Sequence, residues 1–186
     1  MSLPFYFILS FLFAPLNFVL DSEKVYVKEK NADNIILAEG WMQAESKEDY
    51  WYYYYPNEKV KSKGRYKDNM KQEYWFHYFD NGTIKSQGSY SNNNKLGYWY
   101  QYGENGQKQY EGHYENGKKT KWWVTYDSSG KAIFKCQYIN GKKQGYSLCY
   151  KNGKLVKSEK YENDKKIKEW TSYWKFRSEN NLDDLK

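Results

Sequence analysis

From Trp51 onward, aromatic and polar residues alternate in short runs, and the pattern restarts every 24 residues. Trp51, Trp75, Trp99 and Trp123 hold one register, Ser147 continues it, and Trp170 follows after a unit of 23. Alternation with a period of two predicts half-buried strands, and a fixed longer period predicts stacked repeats. Each unit carries two turn signals. The first set is Pro56-Asn57, Asn81-Gly82, Asn105-Gly106, Ser129-Gly130 and Asn152-Gly153. The second is Asp68-Asn69, Asn92-Asn93-Asn94, Asn116-Gly117, Asn140-Gly141 and Asn163-Asp164. Such pairs tolerate positive φ and mark tight hairpins. No stretch between 51 and 176 has helical apolar spacing at helical length. The expected fold is all-β: an elongated antiparallel β-hairpin repeat array, a single-sheet meander of roughly a dozen short strands.

Four columns recur within the array. Tyr54, Tyr78, Tyr102, Tyr126, Tyr150 and Tyr173 form one, and Tyr66, Tyr90, Tyr114, Tyr138 and Tyr161 a second. Lys71, Lys95, Lys119, Lys143 and Lys166 recur near the second turn, and Gly64, Gly88 and Gly112 form a column that lapses at Cys136 and Glu159. With a two-residue turn at Asn81-Gly82, Phe79 opposes Ile84, His77 opposes Ser86 and Trp75 opposes Gly88. Opposed residues share a face, so tryptophan rings lie over glycine, together with the second Tyr column and Val60 or Ile84. The other face carries Tyr74, Phe76 and Tyr78 against Lys85 and Gln87, and Tyr98, Tyr100 and Tyr102 against Gln109 and Glu111. Because it mixes rings with charges, this second face is expected to be the more exposed one.

Residues 23–50 read as a degenerate capping repeat, since VYVK, the break NADN and IILAEGW imitate a unit and Gly40 precedes Gly64 by 24. Residues 43–50 are its irregular exit. The array proper spans 51–176, closing with a strand over 170–173, and 177–186 is a polar, loose tail. The residue missing near Lys151 and Asn152 would flip one strand unless a bulge absorbs it. Residues 3–20, LPFYFILSFLFAPLNFVL, precede the first charge at Asp21. They make 1–22 a signal peptide or an uncleaved N-terminal anchor, and the protein exported: periplasmic, cell-surface or secreted.

The 186 residues contain 30 Lys+Arg against 23 Asp+Glu, with 21% aromatics. Tyrosine and tryptophan supply apolar area with a polar tip, which suits a thin, partly exposed sheet. The positive balance fits anionic polymers or lipid headgroups as well as plain solubility, while no nucleic-acid motif is present. The lysine column should form a linear basic edge, with members about 10 Å apart. His77 and His113 are the only histidines and occupy different columns, so they build no metal cage or triad. The acids Glu39, Asp49, Asp80, Glu104, Glu111 and Asp127 are scattered over turns and strand ends. No phosphate loop or nucleophile elbow is visible. The chain reads as no enzyme, with no catalytic, cofactor or metal site.

Cys136 and Cys149 are a candidate disulfide. A connection from Asn140 to Gly145, symmetric about Lys142 and Lys143, places them directly opposite, and an oxidising compartment would allow the bond. Two thiols that never pair remain the other reading.

The unit resembles the MORN-repeat variant of bacterial YwqK-type antitoxins through Trp75, Tyr78, Asn81, Gly82, Gly88 and Tyr90, the same columns in later units, and Asn-Gly-Lys-Lys at 116–119 and 140–143. The resemblance covers about 51–176. It implies hairpins stacked into a twisted sheet that presents a surface to a partner. The function expected is a noncatalytic exported scaffold mediating protein–protein interaction at the cell envelope. The alternatives are a carbohydrate or cell-wall binding module using the aromatic strips, membrane-surface attachment through the lysine turns to anionic lipid, and a toxin-neutralising antitoxin.

Overall fold

The computed structural model describes residues 22–185, so the leader expected over 1–22 lies, apart from Ser22, outside the described residues. The described residues form one 13-stranded antiparallel sheet in which every strand pairs with its neighbours in sequence. The strands are β1 Lys24–Lys30, β2 Ile36–Gln43, β3 Ser46–Tyr54, β4 Val60–Lys67, β5 Met70–Tyr78, β6 Ile84–Ser91, β7 Asn94–Tyr102, β8 Lys108–Glu115, β9 Lys118–Tyr126, β10 Ala132–Ile139, β11 Lys142–Lys151, β12 Lys154–Glu162 and β13 Lys165–Trp170. The meander is thus as expected, but the segment 43–50 is no irregular exit, because β3 already begins at Ser46.

Two kinds of hairpin alternate. The second turns are two-residue connections with both residues at positive φ, such as Asp68 and Asn69 (51° and 62°) or Asn116 and Gly117 (49° and 74°). The first turns are longer. The Phe79 N–H donates to the Thr83 carbonyl at 2.8 Å and the Gly82 N–H to the Phe79 carbonyl at 3.0 Å, with Gly82 at φ 92°. This is a type I turn closed by a left-handed glycine, a geometry that adds one residue to one strand. Tyr78 therefore pairs with Ile84 while His77 pairs with Ser86, leaving Lys85 as the bulge. Asn81-Gly82 is thus part of a longer turn and not a two-residue one, and Val60, Ile84, Lys85 and Gln109 lie on the faces opposite to those expected. Ile84 and Val60 pair with Tyr78 and Tyr54 on the second face, whereas Lys61 and Lys85 turn to the tryptophan face, with ammonium groups 5.7 and 5.4 Å from the Tyr55 and Phe79 rings. Gln109 follows them: a Cβ on Gly103 would lie 2.9 Å from its Nε2.

A second bulge sits two residues before Trp51, Trp75, Trp99, Trp123 and Ser147. Asp49, Glu73, Gly97, Lys121 and Gly145 there have φ of 54°, 58°, 69°, 57° and 90°. Pairing shifts by two residues across it, from Tyr66–Lys71 to Lys63–Phe76, so side chains keep their faces.

The core lies within the sheet. Trp51, Trp75 and Trp99 are 0%, 0% and 1% exposed although no second layer covers them. Each indole folds flat over the glycine of the preceding strand. A Cβ on Gly64 would stand 2.3 Å from the Trp75 ring, so the glycine covered is Gly64 and not the backbone partner Gly88. Tyr66 and Tyr90 close the edges at 5.1 and 6.0 Å in T-shaped contacts. The Trp75 N–H donates to the Arg65 carbonyl at 3.1 Å, and Lys71 lies 4.5 Å above the ring. Trp123 likewise covers Gly112. Where Ser147 replaces the tryptophan, no indole lies overhead, and the glycine beneath it is replaced by Cys136.

The cysteines do not oppose one another. A two-residue Asn140-Gly141 turn followed by the Gly145 bulge sets Cys136 against Ser147 and Cys149 against Phe134, and both thiols are free. The symmetric connection expected from Asn140 to Gly145 ignored that bulge.

The short sixth unit loses its residue inside the loop, where Asn152-Gly153 makes a two-residue turn and Glu159 and Tyr161 keep their columns. The flip comes later. In β13 pairing shifts by one residue only, from Tyr161–Lys166 to Lys160–Lys168. Trp170 consequently faces the other side, opposite Ser158. Instead of a closing strand and a loose tail, helix α1, Tyr173–Glu179, follows, with a 3-10 turn over Leu182–Leu185.

Replacing Gly88 by Ala should drive a Cβ into the Trp99 ring, 2.4 Å away, and cost about 1–3 kcal/mol. Replacing the exposed, left-handed Lys121 by Gly should instead stabilise by about 1 kcal/mol. Urea denaturation followed by tryptophan fluorescence measures both.

Candidate functional site

The residues flanking Trp51, Trp75, Trp99 and Trp123, and Ser147 in β11, point to the second face, where they form three largely aromatic columns. Tyr74, Phe76 and Tyr78 are consecutive members in β5, and Tyr98, Tyr100 and Tyr102 in β7. Rings touch along each strand: Tyr74–Phe76 at 5.2 Å, Phe76–Tyr78 at 6.4 Å, Tyr98–Tyr100 at 5.0 Å and Tyr100–Tyr102 at 6.5 Å. Tyr74 is 41% exposed and the other five are half-buried, against 0% and 1% for Trp75 and Trp99, so this is the more open face.

The third column has a constant partner, fifteen residues earlier, whose charge varies. The Tyr54 hydroxyl donates to Glu39 at 2.6 Å, and the Tyr126 hydroxyl to Glu111. Gln87 donates to the Tyr102 hydroxyl at 2.9 Å, while Lys63 and Lys135 lie 5.9 and 6.0 Å from the Tyr78 and Tyr150 rings. A phenol accommodates all of these because it offers both a hydrogen-bonding tip and a π face. Burial opposes ionisation of Glu111, but hydrogen bonds from Lys108 and Tyr126 outweigh it, and its pKa is lowered. Burial, and then Glu111, push the Tyr98 phenol up to about 12.

At the C-terminal end this face is covered. Phe176 of α1 is 1% exposed and sits edge-on to Tyr146 at 5.6 Å and Trp170 at 5.2 Å, with Leu148 alongside. The Tyr146 hydroxyl donates to Asn180 at 2.8 Å and the Trp170 N–H to Glu179 at 2.8 Å. Tyr146 and Leu148 occupy the columns of Tyr98 and Tyr100. The helix escaped the sequence reading because seven residues carry too little periodicity; Phe176, apolar where the period has lapsed, was the available signal.

At Lys71, Lys95 and Lys119 the lysine column is not a solvent edge. Pairing of Tyr66 with Lys71, and its equivalents, puts it on the tryptophan face. Lys71, Lys95 and Lys119 are half-buried, 4.5, 4.1 and 4.1 Å over Trp75, Trp99 and Trp123. Burial lowers the pKa of all three, and Lys119 and Lys71 lower that of Lys95 further. Lys143 lies 5.0 Å from the Tyr161 ring, and Lys166 pairs with Glu159 and Glu169 at 3.3 and 2.6 Å.

Among the described residues, no three His, Cys, Asp or Glu side chains gather to hold a metal. No helix there is long and apolar enough to cross a membrane. The histidines lie on opposite faces. His113 sits edge-on to Tyr98 at 4.7 Å, while His77 stacks between Trp75 and Trp99 at 6.0 and 6.3 Å. Burial, then Lys71, Lys95 and Lys85, lower the His77 pKa to about 4. Compared with protein-family models and with curated proteins, the chain matches none.

His77 gives a pH dependence of definite sign. Its folded pKa, about 4, lies below the ordinary 6.5, so the unfolded chain takes up the proton first. Stability should fall as pH drops through that window and be intact above it. His77→Gln installs the residue that the next unit carries as Gln101. It should leave stability at neutral pH nearly unchanged and flatten the decline, as read by urea denaturation at several pH values across the window.

Proposed function

We propose that this chain is a noncatalytic exported repeat scaffold, related to the MORN-repeat variant, whose ring face binds a protein partner at the cell envelope. The observation that carries the reading is α1. The chain's own helix docks a phenylalanine against Tyr146 and Leu148, and the same columns continue uncovered as Tyr74, Phe76, Tyr98 and Tyr100. A face that holds one aromatic anchor can hold another from outside. Tyrosines suit this role because they bring large contact area with little side-chain entropy to lose. The apolar run at 3–20 supports export.

The test is photo-crosslinking in cells with a reactive phenylalanine analogue at position 74 or 98 of the ring face, or at 110, an exposed tyrosine of the tryptophan face. A discrete protein adduct is expected from 74 and 98 and none from 110. Tyr74→Ser with Tyr98→Ser should weaken the purified pair about tenfold or more. Adducts to glycan alone would replace this reading with the carbohydrate-binding one, and equal adducts from all three positions would end it.

A further inference from the structure

On the tryptophan face two shallow depressions repeat one unit apart. The first, of about 420 Å³, is lined by Tyr53, Lys61, Ser62, Tyr66 and Lys71 among others. The second, of about 270 Å³, is lined by the residues 24 further on, His77, Lys85, Ser86, Tyr90 and Lys95, with Lys61 on its rim. No carboxylate lines either one. Each therefore brings a lysine from the hairpin bulge toward a lysine from the column over the tryptophans, with a serine and a tyrosine between them.

The charges are uncompensated. Among the described residues, Lys61, Lys71, Lys85 and Lys95 form no ion pair. At the ends of the same column Lys47 pairs with Glu29 at 2.9 Å and Lys166 with Glu159. Lys71 and Lys95 are half-buried and Lys61 and Lys85 exposed, and all four rest on aromatic faces, which attract a cation without neutralising it. The arrangement also has a limit. The bulge position that holds Lys61 and Lys85 becomes Gln109 and then Ile133, so the paired cations occur in two consecutive units only.

We infer that the two depressions are tandem anion sites that take phosphate groups along a linear phosphate chain. Each offers two compact point charges and hydroxyl donors from several directions, which suits a tetrahedral oxyanion; a planar carboxylate is matched better by the fork of arginine. The sites lie two strand spacings apart, about 10 Å. That exceeds the Debye length of about 8 Å at physiological salt, so one small anion gains little from the neighbouring site. A chain seated in both gains through effective concentration. His77 lines the second site, its Nε2 3.4 Å from the Tyr90 hydroxyl, and reports occupancy because an adjacent anion favours its protonated form.

Linear inorganic polyphosphate is the probe, titrated into the full chain and compared with orthophosphate, polyglutamate, a single-stranded oligonucleotide and anionic lipid vesicles. Polyphosphate should bind more tightly than orthophosphate by about tenfold or more. Lys61→Gln with Lys85→Gln should cost about tenfold, and the arginine pair should restore binding. Lys154→Gln with Lys165→Gln, which removes the same charge from exposed positions elsewhere, should cost less than about twofold. In the saturated complex the His77 pKa, followed by NMR, should rise while that of His113 stays. The inference is overturned by absence of polyphosphate binding, by equal losses from the two lysine pairs, or by polyglutamate binding as tightly. Oligonucleotide or vesicle binding that polyphosphate fails to displace overturns it too. None of these outcomes touches the ring face, whose adducts are scored separately.

Discussion

The structure depends on an indole lying flat on a glycine. A single-layer sheet has no opposing layer against which to bury side chains, so apolar area must be removed from water within the sheet itself. Trp75 does so by folding over Gly64, where any side chain would overlap the ring, with tyrosines at its edges and a lysine stem across its top. Each repeat supplies the ring for the glycine of the one before, so burial is shared between neighbours and no unit is complete alone. The sixth unit shows the dependence in reverse: without a tryptophan at Ser147, Cys136 stands where a glycine would otherwise be required.

The two bulges in each unit decide what the faces contain. The two-residue shift before Trp51, Trp75, Trp99 and Trp123 conserves side-chain direction and gives the indole room to reach the preceding strand. The one-residue bulge after the first turn reverses it, bringing Lys61 and Lys85 to the tryptophan face and Ile84 beneath the rings. Without that reversal the bulge lysines would not meet the lysines of the column, and no depression would hold two of them. The two faces thus divide along chemical lines: hydroxyl-tipped rings on one, and cations over buried indoles on the other.

The ends of the array follow from the same constraint. At the first strand Val27 stands in the tryptophan register opposite Gly40, which Trp51 covers from the next strand but one. At β13, which α1 follows, the left-handed bulge is missing, and Trp170 turns to the ring face, where Phe176 and Tyr146 enclose it. Helix α1 closes the ring face over β11–β13 and leaves it open over β5–β8.

The sequence by itself determined the period, the meander, the second turns, and the sharing of one face by tryptophan, glycine and the second tyrosine column. These are local properties, repeated often enough for their spacing to specify them. Tertiary structure decided which glycine each indole covers, because a ring can fold toward either neighbouring strand while its backbone partner stays the same. It also decided the bulges. Glu73 and Lys121 adopt left-handed φ with nothing in their side chains to announce it, and the separate one-residue bulge at Lys85 exchanges the faces of Ile84 and Lys85. The cysteine register, the burial of the lysine column and the inversion of Trp170 all hang on those bulges. So does the pairing of lysines on the tryptophan face, since residues ten apart in the chain meet only after the backbone has been turned over between them.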